Sequence, residues 1–178
     1  MSEAGEFQII EQFFTYPSFG AWKSQGVGDD CAIIDTGAGR LAVTCDRTAL
    51  GTHFFPDADP EDVGYKALAV NLSDLAAAGA VPRAFFLSIG LPRRDDGWLA
   101  DFSRGLMALA HESGCALLGG DTTRTPEIDG RHAPATISIT AMGDLPAGMG
   151  LTRSGAQPGD DIWVSGTVGD AYAALMCR

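Results

Sequence analysis

Four aspartates in this chain stand where a carboxylate needs a reason. Asp74 lies in Leu68-Ala69-Val70-Asn71-Leu72-Ser73-Asp74-Leu75-Ala76-Ala77-Ala78, with no other charged residue between Lys66 and Arg83. A carboxylate among apolar neighbours costs several kcal/mol unless a cation or strong donors meet it. Asn71, three residues earlier, falls on the same helical face, so two oxygen-bearing side chains project together. Asp29 and Asp30 follow Gly26-Val27-Gly28 just before an apolar run, and Asp46 closes the apolar run Leu41 to Thr44. Asp121 sits in Leu118-Gly119-Gly120-Asp121-Thr122-Thr123-Arg124. That last run joins glycines, a carboxylate, two hydroxyls and a guanidinium, which are the groups a metal-bound polyphosphate requires. Taken singly, each glycine-aspartate piece also reads as a turn. Oxygen-only donors of this kind suit magnesium, which prefers carboxylates, waters and substrate phosphates. Zinc is disfavoured, because His53, His111 and His132 lack ligand spacing and Cys31, Cys45, Cys115 and Cys177 are scattered.

The elements that must position these residues can be read from periodicity and punctuation. Phe7, Ile10, Phe13 and Phe14 give an amphipathic helix from Glu6 to about Thr15, ended by Tyr16-Pro17. Cys31 to Ile34 and Leu41 to Thr44, joined by Thr36-Gly37-Ala38-Gly39, form a strand hairpin, and Arg47 points to the opposite side from Asp46. A long helix spans Pro60 to Gly79, with Asp59 as N-cap and Glu61 and Asp62 in its first turn. A strand from Arg83 to Leu91 follows, then a helix that Asp95 or Asp96 starts and Gly114 stops. Cys115 to Leu118 reads as a short buried strand and Ala135 to Met142 as another. Beyond Gly143, a linker with Pro146, Gly148 and Gly150 leads to Leu151-Thr152-Arg153-Ser154-Gly155, a Pro158-Gly159-Asp160 turn, a strand Ile162 to Ser165 and a helix near Asp170. Alternating helices and apolar strands give an α/β or α+β sheet with helices on one face.

Bulk properties narrow the function class. The 178 residues suffice for one domain with a real core, and a hydrophobic fraction of 46% without low-complexity tracts marks a folding, globular chain. A formal charge of −11 repels a phosphate backbone, so nucleic acid is not the expected partner. No apolar run reaches the roughly 18 residues of a membrane span, and no signal peptide precedes the cysteines, so a cytoplasmic protein with reduced thiols is expected.

In combination and order, these motifs resemble the thiamine-monophosphate kinase family. The resemblance runs over Gly5-Glu6-Phe7, Gly26-Val27-Gly28-Asp29-Asp30-Cys31-Ala32, Gly51-Thr52-His53-Phe54, Tyr65 to Ala77, Gly119 to Arg124 and Leu151 to Gly155. It implies an aminoimidazole-ribonucleotide-synthetase-like N-terminal domain: a mixed sheet with helices on one face that forms a homodimer through the sheet. Residues 1–145 would be the metal- and ATP-binding and dimerisation domain, and 146–178 a linker and the truncated start of a C-terminal domain. By the same resemblance Asp30, Asp46, Asp74 and Asp121 are magnesium ligands, with Thr44 and Cys45 also near metal. Gly120, Asp121 and Arg153 match nucleotide-contacting positions, and His53 matches a position that contacts thiamine monophosphate. From the residues alone, His53 is a loop histidine packed against Phe54 and Phe55. Where relatives usually have a Ser-Thr-Asp-Thr-type run, this chain has Thr44-Cys45-Asp46-Arg47, which places a thiol beside the ligand aspartate.

The implied reaction moves the γ-phosphoryl group of ATP onto thiamine monophosphate to give thiamine diphosphate, with several magnesium ions and no assigned catalytic side chain. The rival readings are a selenophosphate-synthetase-like or aminoimidazole-ribonucleotide-synthetase-like enzyme, and a metal- and nucleotide-binding dimerisation module without turnover. Because the chain stops at Arg178 inside an apolar helix, little kinase activity is expected of it alone.

Overall fold

The computed structural model describes residues 6–14, 24–25 and 29–177. Gly5, the Tyr16-Pro17 stop and Gly26-Val27-Gly28 lie outside the described residues. In chain order the elements are α1 (Glu6–Phe14), β1 (Ser24–Gln25), β2 (Ala32–Asp35), β3 (Arg40–Ala49), α2 (Pro60–Ala77), β4 (Val81–Leu91), α3 (Asp96–Ser113), β5 (Ala116–Arg124), β6 (Glu127–Ile128), β7 (Arg131–His132), β8 (Thr136–Leu145) and α4 (Asp170–Met176).

Six strands form one mixed sheet in the order β1-β2-β3-β8-β4-β5. Both β3 and β4 run antiparallel to β8, so they are parallel to each other, and β5 is parallel to β4. Parallel strands need a long crossover. α2 supplies it between β3 and β4, and α3 between β4 and β5, which places both helices on one face. The central strand β8 shows the result in its alternation. Ile137, Ile139 and Ala141 are buried toward the helices, whereas Thr136, Ser138, Thr140 and Met142 are half-buried on the other face. Val63, Leu68 and Leu75 of α2 and Phe102 and Leu106 of α3 complete the core.

The helix signals act as the sequence indicates. Asp59 Oδ1 accepts from the Glu61 N–H at 2.9 Å, and Asp95 Oδ1 accepts from the Trp98 N–H at 3.0 Å. Of the two candidates for the start of the second long helix, Asp95 is the cap and Asp96 the first helical residue. The hairpin forms with Ala32 opposite Val43, and Arg47 is exposed on the opposite side of β3 from Asp46.

Two expectations need correction. The Cys115–Leu118 run is not a short buried strand. It belongs to β5, which continues to Arg124, lies at the sheet edge and exposes every residue; only Cys115, just before it, is buried. An edge strand has a partner on one side only, and local composition does not reveal that position. Ile162 to Ser165 forms no strand; Ile162 and Trp163 are 95% and 88% exposed. Strand structure requires a neighbouring strand to pair with, and that segment has none among the described residues.

α2 and α3 cross closely enough that two glycines are obligatory. A Cβ on Gly105 would stand 1.9 Å from the Glu61 carbonyl oxygen, and one on Gly64 would stand 2.0 Å from that of Phe102. Gly105→Ala is therefore expected to lower unfolding stability by about 1–3 kcal/mol, the usual scale of overpacking. Urea denaturation measures it; an unchanged midpoint would show that the helices can separate freely.

Candidate metal and phosphate site

Alternation along β3 sends Thr44 and Asp46 toward α2 and leaves Cys45 and Arg47 exposed on the other face. Pairing between β2 and β3 ends at Ala32 and Val43, and beyond that point no named strand among the described residues pairs with the outer edge of β3. There α2 takes over. Asn71 is fully buried; its Oδ1 accepts the Asp46 N–H at 3.2 Å and its Nδ2 donates to the Ala67 carbonyl at 3.0 Å. One helical turn further, Asp74 Oδ2 accepts from the Thr44 hydroxyl at 2.6 Å. The Cys31 thiol donates to the Asp74 carbonyl at 3.3 Å, which ties the entrance of β2 to the same turn.

Asp29 and Asp30 approach from the segment that enters β2, and both engage Arg153. The Arg153 N–H donates to Asp29 Oδ1 at 2.8 Å, and its Nη2 donates to Asp30 Oδ1 at 2.6 Å. The Asp30 carboxylate raises the guanidinium's pKa above its ordinary value, first by this hydrogen bond and then by its charge, with smaller contributions from the charges of Asp29 and Asp74. Arg153 is thus bonded by Asp29 and Asp30 and feels the charge of Asp74, while the Asp46 backbone is bonded separately to Asn71 on α2.

Asp121 is placed elsewhere. It pairs with Ser88, Ser88 with Ser138, and Ser138 with Arg47, so this row shares the exposed face of Arg47. The Asp46 row runs through Ile139 and Leu87 to Gly120. Asp121 is three strands from β3, about 14 Å at roughly 4.8 Å per strand, and faces away from the helices. Asp46 and Asp74 lie on the helix side of β3 and Asp30 is bonded to Arg153, whereas Asp121 lies apart from them. The turn reading of Gly119-Gly120-Asp121 is replaced, because these residues are in β5. Gly120 is there for space: at φ +156° a Cβ would fall 1.7 Å from the Leu87 carbonyl oxygen.

His53 caps the end of β3. Its Nδ1 accepts the Ala49 N–H at 3.1 Å, and its carbonyl accepts from Lys66 Nζ at 2.6 Å. The ring is exposed and borders an open pocket with Phe54, Phe55, Asp62 and Lys66. Sequence reasoning paired Asp29 with Asp30 but missed their division of labour, one holding a backbone N–H and the other a side chain. It also missed Arg40, whose Nη1 donates to the Met149 carbonyl at 2.9 Å and so tethers the segment carrying Arg153. No local pattern signals that contact across 109 positions.

Among the described residues, no three His, Cys, Asp or Glu side chains stand as a ready-made metal cage. The donor chemistry nevertheless fits a hard divalent cation. Asp30, Asp46 and Asp74 offer carboxylates, and magnesium is ordinarily held by one or two of these with water and substrate phosphate completing the shell. The Cys45 thiol faces the other side of β3 and is not part of that set.

Residues 28–145 match the family described as AIR synthase related protein, N-terminal domain. The chain belongs to that family. This AIR synthase related domain is 44% identical over 173 residues to the thiamine-monophosphate kinase of Salmonella typhimurium, covering 96% of the chain and 51% of that relative. Among solved structures, it is similar to thiamine-monophosphate kinase from Stenotrophomonas maltophilia, with 47% identity, a TM-score of 0.71, and coverage of 85% of this chain and 46% of that one. It is also similar to "AaThiL complexed with AMPPCP and TMP", with 30% identity, a TM-score of 0.75, and coverage of 87% and 49%. The chain spans about half the length of the curated relatives it matches.

Burial, then the charges of Asp74 and Asp30, push the Cys31 thiol from its ordinary 9.0 up to about 11. A raised folded-state value means that the protonated thiol stabilises the fold below pH 9, and that this contribution is lost as pH rises through about 11. Denaturation midpoints measured from pH 8 to 11 should fall, and Cys31→Ala should flatten part of that fall. An identical slope in the variant would remove Cys31 from the alkaline transition.

Proposed function

We propose that this domain is the ATP- and magnesium-binding half of a kinase that phosphorylates thiamine monophosphate to thiamine diphosphate. The observation that carries the reading is the tie of Asp74 to Thr44, beside Asp46 on the helix side of β3 and with Asp30 bonded to Arg153, in a chain 44% identical to a thiamine-monophosphate kinase. The similar AaThiL structure is complexed with AMPPCP and TMP, which supports the same pair of substrates.

The chemical problem is charge. The acceptor is a phosphate, whose oxygen is already ionised, so no general base is needed. Donor and acceptor are both polyanions, and each pair of unit charges about 4 Å apart costs roughly 4 kcal/mol at an effective dielectric near 20. Bound magnesium supplies neutralisation and alignment of phosphate oxygens. Asp30, Asp46 and Asp74 would hold it, with Thr44 orienting Asp74 through the 2.6 Å bond and Asn71 fixing the strand that carries Asp46. Gly120, Asp121 and Arg153 are assigned to the nucleotide. Asp121, on the exposed face of the sheet, would hold a magnesium ion separate from that held by Asp30, Asp46 and Asp74, and Cys45 would contribute only its backbone. His53, exposed beside Phe54 and Phe55, is assigned to thiamine monophosphate.

A homodimer is part of the proposal. The face of the sheet opposite α2 and α3 carries Phe86 at 41% exposure beside Cys45, Ser88, Thr140 and Met142. A second copy packed there would cover it, and sedimentation at twice the chain mass is the check.

Assay of the chain joined to the C-terminal half of the Salmonella relative, with ATP, magnesium and thiamine monophosphate, should yield thiamine diphosphate. Asp74→Asn in the same protein should reduce kcat by about 100-fold or more, the scale for losing one preorganised electrostatic group. Turnover that survives Asp74→Asn unchanged would take the metal role away from this cluster. The chain without that half is expected to show little turnover.

A further inference from the structure

A cavity of about 180 Å³ lies where β3 and β4 end and β8 begins, walled by Leu50, Phe54, Phe55, Leu91, Trp98 and Ala135. Its walls are tied in place. The Leu50 N–H donates to the Ala135 carbonyl at 3.0 Å, the Gly51 N–H to that of Phe54 at 2.9 Å, and the Ala58 N–H to that of Phe55 at 3.1 Å. Trp98 stacks on the buried Phe102 with ring centroids 5.0 Å apart. A preformed apolar cavity with a few polar groups at its opening is the ordinary form of a small-molecule site. An apolar cavity of about 150 Å³ holds one benzene-sized ring, so this one admits a single substituted ring and not a fused pair.

Among the lining residues only Arg93 and Asp95 carry charge, and both are exposed, at the opening. Asp95 Oδ1 accepts the Trp98 N–H; among the described residues Asp95 Oδ2 and the Arg93 guanidinium have no partner. The two side chains thus offer one acceptor and one donor. A 4-aminopyrimidine presents the complement, since its amino group donates and the adjacent ring nitrogen accepts. We infer that this cavity seats the aminopyrimidine ring of thiamine monophosphate, with Asp95 accepting from the amino group and Arg93 donating to the ring nitrogen. This rests on the substrate proposed above and adds the part of the chain that selects it. The loop that walls the cavity also carries His53, assigned to the same substrate. Leu50 is four residues beyond Asp46, about 13 Å at roughly 3.3 Å per residue, so the phosphate arm would run back along β3 toward the proposed metal.

The test titrates the chain with the free ring, 4-amino-5-hydroxymethyl-2-methylpyrimidine, and follows the Trp98 indole N–H signal in 15N-labelled protein, assigned with Trp98→Phe. The expected result is a saturable shift. The analogue without the amino group should bind about tenfold or more weakly, the scale of a hydrogen bond to a charged group, and so should the full ring in Asp95→Asn and in Arg93→Gln. Asparagine still caps a helix, so Asp95→Asn keeps α3. Adenosine carries the same polar edge on a fused ring pair and should bind far more weakly. Adenosine binding at Trp98 as tightly as the single ring overturns the assignment to thiamine monophosphate, and no shift with the single ring overturns the seat. In the protein joined to the C-terminal half of the Salmonella relative, both substitutions should raise the KM for thiamine monophosphate about tenfold and leave the KM for ATP unchanged. An unchanged KM for thiamine monophosphate, with turnover intact, overturns the seat and leaves the kinase reading standing. Absence of turnover in the unsubstituted protein overturns the kinase reading, and with it the assignment of this cavity to its substrate.

Discussion

Asn71 is wholly buried between a helix and the edge of a strand, and an amide in that position must find partners or cost the fold dearly. It finds them in the Asp46 N–H and the Ala67 carbonyl. The contact joins α2 to β3 where β2 has already ended, and so fixes the rotation of the helix. With that rotation set, Asp74 comes round to Thr44, Cys31 meets the Asp74 carbonyl, and the Asp29-Asp30 entrance to β2 is drawn alongside. A core made only of apolar residues would leave α2 free to turn by part of a residue. The polar seam defines its register, and the same seam carries the acidic side chains.

What the sequence reveals is what local chemistry determines. Asp59 and Asp95 cap their helices because a side-chain oxygen two or three residues before an unpaired N–H is a local solution. The Asp74 face was legible because a lone carboxylate with Asn71 in an apolar helix has few structural uses. The edge position of β5 was not legible, since it depends on strand order. Nor was the side of the sheet on which Asp121 lies. That depends on pairing across three strands with a register shift between Phe85 and Phe86, and no pattern in Leu118 to Arg124 encodes it. The approach of Arg153 to Asp30, 123 positions away, is likewise a product of the whole fold.

The division of the carboxylates matters for how a phosphoryl-transfer site could be built. Asp46 and Asp74 lie on the helix side of β3, Asp30 precedes β2 beside Arg153, and Asp121 lies on the open face nearer the other edge. A ligand or protein surface that spans both is required before they can act together. About half of each curated relative lies beyond the matched region. Residues 162–176 expose Ile162, Trp163, Val168 and Tyr172, with no buried side chain in α4. That apolar area is larger than a scattered surface residue or two and is suited to packing against further structure.

The most direct measurement of the central claim is anomalous diffraction from crystals of the chain soaked with manganese, a magnesium substitute with a locatable signal. The expected result is a peak within coordination distance, about 2.0–2.3 Å, of carboxylate oxygens from Asp30, Asp46 or Asp74. Manganese bound only at other surfaces, with those three aspartates unliganded, would contradict it.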